Sequence, residues 1–213
     1  MKLLGSDGSP YARKARIAIT EKSVACEFVA ASPRDPASGV SAANPLAKIP
    51  TLLLDDGTAI FDSSVIAEYV DGIGSGPKLI PDAFAERIAV RRWEALGNGI
   101  LDATVNIMHD RRLPEPKQQG AEYVTRQMQK IEAALALIDK TVTGTDFVHG
   151  EKFSLGDVVC GTALGYLDRV LPEFDWRGRY ANVKRYGAKL AARPSFTTTG
   201  FLTAEKPPAK AGS

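Results

Sequence analysis

Three short stretches of this chain carry residue types whose spacing suits the binding and activation of an anion. The first is Ser9-Pro10-Tyr11. Serine followed by proline marks a helix N-cap and first helical position, because proline lacks an N–H that would have no partner there. Ser9 therefore stands at the positive end of a helix, where its hydroxyl and the free amides of the first turn favour negative charge. The second stretch is Asp62-Ser63, two small polar residues that open another helix and offer amides, a hydroxyl and a carboxylate at its N-terminus. The third is Lys48-Ile49-Pro50, where proline directly precedes an apolar run. A cis Ile49-Pro50 bond would turn the Ile49 backbone out of the sheet, leaving its N–H and C=O to pair with an extended peptide, while Lys48 adds a mobile positive charge. Each stretch has a plainer alternative: Ser9 and Asp62-Ser63 as simple helix caps, Lys48 as a solvated surface lysine.

The elements that must position these residues follow from the period of the apolar side chains. Up to about Tyr69 the order is βαβ then ββα. A strand is expected at residues 2–4, a helix over 10–22, a strand at 26–30 and a polar loop over 32–41 that leaves room for a short or irregular helix. A hairpin of residues 51–54 and 59–61 turns at Asp56-Gly57, and the helix opened by Asp62-Ser63 follows. The run Gly72-Ile73-Gly74-Ser75-Gly76-Pro77 sets four breakers in six residues and predicts a boundary: a domain over 1–76, a linker at 77–81 and a second domain over 82–205. Beyond it Ala89, Trp93, Leu96, Ile100, Ala103 and Ile107 recur at spacings of four and three, as do Val124, Met128, Ile131, Leu135 and Ile138. Two long packed helices follow from that pattern, separated by Pro114 and Pro116. A third, over 154–171, is apolar nearly all round, with Gly161 and Gly165 where a neighbour could approach, and is expected to be the buried centre. Ser154 and Asp157 have capping-box spacing with Phe153 as a staple, which makes Asp157 structural. The tail, residues 206–213, is expected to be disordered.

Composition excludes more than it selects. The chain has 213 residues, 44% of them hydrophobic and 24% charged, as suits one compact unit or two small domains. A net charge of +2 with both signs interspersed forms no basic stripe, so no nucleic-acid partner is implied. Cys26 and Cys160 fall in apolar segments of different domains and read as reduced core thiols in a reducing compartment. His109 and His149 are too isolated to hold a metal, and none is expected. Trp93 and Trp176 read as packing residues. No charged-then-apolar leader follows Met1 and no apolar run nears the roughly 20 residues of a membrane helix, so no membrane partner is expected and the cytoplasm is the default location.

With Ser9-Pro10-Tyr11, Asn44-Pro45, Lys48-Ile49-Pro50 and Asp62-Ser63 in this order, ahead of an all-helical second half, the whole chain resembles the glutathione transferase family, in its bacterial cytosolic type with serine at the active-site position. Ser9-Pro10-Tyr11-Ala12 also has the shape of the Cys-Pro-Tyr-Cys motif of glutaredoxins, with serine and alanine in place of both cysteines. Disulfide exchange by the chain's own thiols is excluded there. The resemblance implies an α/β plus all-α fold, a thioredoxin-like N-terminal domain with a mixed four-stranded sheet followed by a helical domain. It also implies glutathione as co-substrate, a small electrophile as second substrate, and a homodimer.

The resemblance assigns roles as well. Ser9 would donate a hydrogen bond to the glutathione sulfur and lower its pKa from the ordinary thiol value near ~8.5, each unit being worth about 1.4 kcal/mol. Asp62 and Ser63 would bind the γ-glutamyl head group, Asp62 facing the α-amino group; many family members carry Glu at this point, and the shorter Asp changes the contact. Ile49 would pair through its backbone beside Pro50, and Lys48 would reach the glycyl carboxylate. The electrophile pocket would lie between Tyr11 and the C-terminal end of the first long helix, with Met108, Arg111 and Arg112 as candidates. The two arginines either attract an acidic second substrate or compensate the helix dipole. Two rival functions remain open: reduction of a peroxide or mixed disulfide by the same bound thiolate, and a non-catalytic ligand- or protein-interaction module on the same fold.

Overall fold

The computed structural model describes residues 1–201. The expected disorder of residues 206–213 falls outside them. Its N-terminal half is a mixed sheet in the order β2-β1-β3-β4, built from β1 (Lys2–Gly5), β2 (Glu27–Ala30), β3 (Thr51–Leu53) and β4 (Ala59–Ile60). β1 pairs parallel with β2 and antiparallel with β3, and β3 pairs antiparallel with β4. Successive strand residues face opposite sides, as the pleat requires. Leu3 and Leu52 therefore enter the main core with α1 (Pro10–Glu21) and α3 (Ser63–Ile73). Leu4 and Leu53 join a smaller cluster on the other face with Val40 of α2 (Val40–Ala43). This is the expected thioredoxin-like arrangement. Three strands end a residue short of expectation: Cys26 precedes β2, Leu54 begins the turn with its N–H donating to Thr58 O (2.9 Å), and Phe61 leaves the sheet to enter the α3 cap.

The helical half consists of α4 (Phe84–Arg111), α5 (Ala121–Thr141), α6 (Leu155–Val170), α7 (Trp176–Arg179), α8 (Ala181–Ala191) and α9 (Pro194–Thr197). The alternating spacings bury Ile100, Ala103 and Ile107 of α4, which packs on α6, and Ile131, Leu135 and Ile138 of α5, which packs on α4; α6 is buried along most of its length. Gly161 and Gly165 of α6 both sit at crossings. A Cβ at Gly161 would meet the Phe196 ring at 2.5 Å, and one at Gly165 would meet Arg13 Nη1 of α1 at 2.6 Å. The capping box forms: Asp157, fully buried, accepts from Ser154 N–H (2.8 Å), Ser154 Oγ (2.9 Å), Val148 N–H (2.9 Å) and Tyr186 Oη (2.9 Å). Phe153 packs edge-on against Phe147, with ring centroids 5.6 Å apart. Trp93 and Trp176 are both core residues.

The expected linker is pinned rather than loose. Lys22, at the end of α1, donates to Gly76 O (3.2 Å) and Pro77 O (3.0 Å) and pairs with Asp71 (3.1 Å). Asp71 in turn accepts from the N–H groups of Leu79 (2.8 Å) and Ile80 (3.1 Å), and both side chains are buried. Both cysteines are free thiols in contact with the main core, to different depths. Cys160 is fully buried, but Cys26 lies just before an outer strand and is half-buried. Among the described residues no helix is long and apolar enough to cross a membrane.

Candidate functional site

Ser9 caps α1: its Oγ accepts from Ala12 N–H at 3.2 Å, while its own O–H remains free to donate. The Tyr11 N–H, in the same turn, has no partner among the described residues. Cap and anion donor are thus compatible roles for Ser9, because one uses the oxygen lone pair and the other the proton.

The loop before β3 is built by Asn44. Its Nδ2 donates to Lys48 O (3.0 Å) and Thr51 Oγ1 (3.3 Å), and its Oδ1 accepts from Leu46 N–H (2.9 Å). Asn44 is buried, so these bonds fix the loop from inside. The Ile49-Pro50 bond is cis, and so is Phe61-Asp62. Ile49 N–H and C=O have no partner among the described residues, and the exposed Lys48 side chain is likewise unpaired among them.

Asp62 caps α3 through one oxygen, Oδ1 accepting from Ser64 N–H at 2.8 Å, and is exposed. Ser63 behind it is only 3% exposed, yet its amide and hydroxyl have no partner among the described residues. Underneath lies a cluster that sequence reading missed. Lys14 of α1, fully buried, donates from Nζ to Glu94 Oε1 (2.7 Å), Ser64 Oγ (2.9 Å) and Asn98 Oδ1 (3.3 Å). Glu94 is also held by Arg91 at 2.7 Å, which in turn pairs with Glu68. Burial pushes Glu94 up, but Lys14 and Arg91 outweigh it and keep the carboxyl below its usual range. Burial pushes Lys14 down despite the same pairing. Of these two opposed directions the Glu94 one fits the geometry better: two cationic donors, one on each oxygen, converge on its carboxylate, which keeps the pair ionic.

The pocket residues divide. The Tyr11 hydroxyl donates to Asp102 of α4, across the domain cleft; burial first, then that carboxylate, pushes its pKa well up. Tyr166 of α6 donates to Met108 Sδ at 3.3 Å. Burial pushes the Tyr166 pKa up, against the opposing fields of Arg112 and Arg169. Arg169 Nη2 also lies 3.6 Å from where a Gly8 Cβ would stand, beside Ser9. Tyr11, Met108 and Arg112 thus share a neighbourhood with Tyr166 and Arg169, neither foreseen. Arg111 does not join them: it pairs with Glu173 at 2.6 Å on the surface. The (i, i+3) pair Tyr166 and Arg169 was readable on α6, but nothing local ties it to residues 8–11. Among the described residues no cluster of His, Cys, Asp and Glu could hold a metal.

Residues 3–78 match the family model described as the glutathione S-transferase N-terminal domain, and residues 121–186 match that of the C-terminal domain. The chain belongs to the glutathione S-transferase family. This member is 34% identical over 202 residues, 93% of its length and 98% of the relative's, to an uncharacterised GST-like protein, YibF, of Escherichia coli (strain K12). Its fold matches a glutathione S-transferase of Methylobacillus flagellatus KT, crystallised with glutathione, at a TM-score of 0.90 and 39% identity, covering 94% of this chain and 99% of that one. A family member from Pseudomonas fluorescens Pf-5, crystallised with S-(propanoic acid)-glutathione, superposes at a TM-score of 0.82 and 30% identity, covering 93% and 97% of the two chains.

Proposed function

We propose that this family member is a glutathione transferase that binds reduced glutathione along Ile49 and at the Asp62-Ser63 turn, and activates its thiol at Ser9. The observation that carries the reading is Ser63: a nearly buried residue at a helix N-terminus whose amide and hydroxyl have no protein partner among the described residues. Among the described residues no side-chain polar atom is both buried and unpaired, so the Ser63 hydroxyl opens to the surface of the turn, and an amide and a hydroxyl free to donate at a helix N-terminus favour an anionic ligand. A γ-glutamyl carboxylate meets the requirement, with the exposed Asp62 oxygen facing the α-amino group. The unpaired Ile49 backbone would pair with the cysteinyl residue, and Lys48 with the glycyl carboxylate.

In this reading the Ser9 O–H donates to the sulfur, and the Tyr11 amide and the α1 dipole add to the field that favours thiolate. The thiol proton leaves to water. The sulfur lone pair then forms the bond to the electrophilic carbon, and the displaced electron pair leaves with the leaving group or takes up a proton. The Tyr11 hydroxyl is committed to Asp102 and does not serve as activator. Tyr166, Met108 and Arg112 line the electrophile side. The ligand of the Pseudomonas relative, a thioether carrying an added carboxylate, supports conjugation and an acidic second substrate facing Arg112.

Phe84 and Ile88 are exposed one turn apart on α4, and Val65 is exposed on α3, which the Glu68–Arg91 pair ties to α4. A second copy of the chain would cover this face, to be checked as mass by light scattering. A reducing cytoplasm is the compartment such chemistry calls for.

The test is calorimetric titration with reduced glutathione and with its S-methyl analogue, then product analysis with a model electrophile. Binding weakened by methylation, a thioether product, and loss of turnover in Ser9→Ala are expected. Oxidised glutathione as sole product would overturn conjugation, and no binding of either ligand would overturn the site.

A further inference from the structure

The floor of the Asp62–Ser63 turn is shared by both domains. Ser64, the second residue of α3, carries the amide that Asp62 caps, and its Oγ accepts from Lys14 Nζ (2.9 Å) and Asn98 Nδ2 (3.5 Å). The Ser64 hydroxyl also acts on Glu94, helping to hold that carboxyl below its usual range. Lys14 comes from α1, Glu94 and Asn98 from α4, so one ammonium group joins the helix that carries Ser9, the helix that begins at Ser63, and the first long helix of the second domain. Both ends of the Lys14–Glu94 pair are nearly inaccessible, at 0% and 5% side-chain exposure.

We propose that Lys14 is a positioning residue for glutathione: through Ser64 it sets the position and stiffness of the Asp62-Ser63 turn that receives the γ-glutamyl head. A buried ion pair is weak evidence for stability, since well-packed apolar residues of similar volume often do as well. What such a pair provides is direction. Lys14 has three donors and meets three acceptors from α3 and α4, which leaves its ammonium one orientation, and Ser64 Oγ is fixed by that orientation. Among the described residues no partner of the Ser64 side chain comes from its own helix, so without Lys14 and Asn98 its first-turn rotamer is free to rearrange. A site that reads two ends of an amino-acid head group tolerates little such movement. Glutathione affinity thereby depends on two residues that lie 50 and 34 positions from Ser64 in the sequence and do not touch the ligand.

This inference rests on the glutathione reading above, and its test separates the two. The full chain and its Ser64→Ala, Ser64→Thr, Asn98→Ala and Lys14→Met variants are titrated with reduced glutathione, and the pKa of the bound thiol is followed by ultraviolet absorbance. Ser64→Ala and Asn98→Ala should raise Kd about fivefold and Lys14→Met about tenfold or more, as expected for a lost hydrogen bond and a lost charged one. The bound-thiol pKa should stay at its original value, and Ser64→Thr, which keeps the hydroxyl, should restore affinity. A role confined to stability would lower the melting temperature and leave Kd alone in the folded protein. Unchanged Kd in folded Ser64→Ala and Asn98→Ala overturns the inference while the binding site stands, and these two variants decide if Lys14→Met does not fold. Failure of the unmodified chain to bind glutathione overturns the site and this inference together.

Discussion

Replacing Asp157 by asparagine changes one oxygen to an NH2 group and nothing else, and the surroundings make that a severe test of how the helical domain is held. Oδ1 accepts from Val148 N–H and Tyr186 Oη, and Oδ2 from Ser154 N–H and Ser154 Oγ. The two hydroxyls can reverse and accept from an amide, but the two backbone N–H groups cannot. Either orientation of the new side-chain amide therefore leaves one backbone N–H, of Val148 or Ser154, facing another donor. An orphaned buried donor costs about 1 to 3 kcal/mol, and loss of the charge on the surviving bonds adds about 1 more, so Asp157→Asn should cost about 2 to 4 kcal/mol. Tyr186→Phe, which removes one donor and orphans nothing, should cost about 1.5 kcal/mol. In the Asp157→Asn background the same Tyr186→Phe change should cost less than about 0.5 kcal/mol, since the charged acceptor it served is gone. Urea denaturation followed by tryptophan fluorescence and far-ultraviolet circular dichroism measures all four corners, with an unchanged slope required. A loss below about 0.5 kcal/mol for Asp157→Asn, or equal costs for Tyr186→Phe in both backgrounds, would sink the argument that donor count decides this site.

Asp62→Ala should weaken glutathione binding about tenfold or more, the order of a charged hydrogen bond, and also cost about 1 kcal/mol of stability as a lost cap; calorimetry on folded protein that returns the original Kd would refute the assignment. Glu94 is held below its ordinary range, so the stability it contributes is complete above about pH 4.5 and is lost as pH falls through its lower folded value. Asp157, pushed up by burial, works in the opposite sense, so the comparison must be with Glu94→Gln rather than with pH alone. The melting-temperature gap between that variant and the original should be widest at pH 7 and narrow below pH 4.5; a constant gap down to strong acid contradicts the charged pair. Arg112→Ala should lower kcat/KM for a carboxylate-bearing electrophile about two- to fivefold more than for a neutral one of the same reactivity, the order of an exposed charge pair, and equal losses would remove Arg112 from substrate selection.

What the chain discloses in one dimension is what is decided locally. The Ser9 and Asp62 caps, the Asp56-Gly57 turn and the Ser154–Asp157 capping box all join partners two or three residues apart, and each forms as read. The glycines of α6 announced close crossings, though not that Phe196 and Arg13 would fill them. The Lys14 cluster stayed hidden because its partners lie 50 to 84 residues away, and a lysine between arginines in an amphipathic helix reads as solvated. Tyr11 and Asp102, 91 residues apart, are a similar case. α8 was overlooked although Val183, Tyr186 and Leu190 had the right spacing, because four exposed cations in and around it dilute the apolar stripe. The pairing of Arg111 with Glu173 shows the same limit, since adjacent arginines at a helix end point to different places and only the turn between α6 and α7, which carries Glu173, determines which.

The contacts of α1 bear on how this architecture can be recombined. Its Arg13 donates to Thr199 O (3.0 Å) and Phe196 O (3.3 Å) near the far end of the chain, where burial lowers its pKa to about 10, and Glu21 at its last turn receives Arg193 (2.8 Å) and Ser195. Together with Lys14, these contacts make the helix that presents Ser9 as much a property of the second domain as of the first. A chimera that joined residues 1–76 to the helical half of another transferase would inherit a lysine and an arginine with nowhere to put their charge unless the donor half brought its own Glu94, Asn98 and Gly165. Exchange between such proteins is therefore expected to succeed by carrying α1 with its helical partner and swapping the sheet around it.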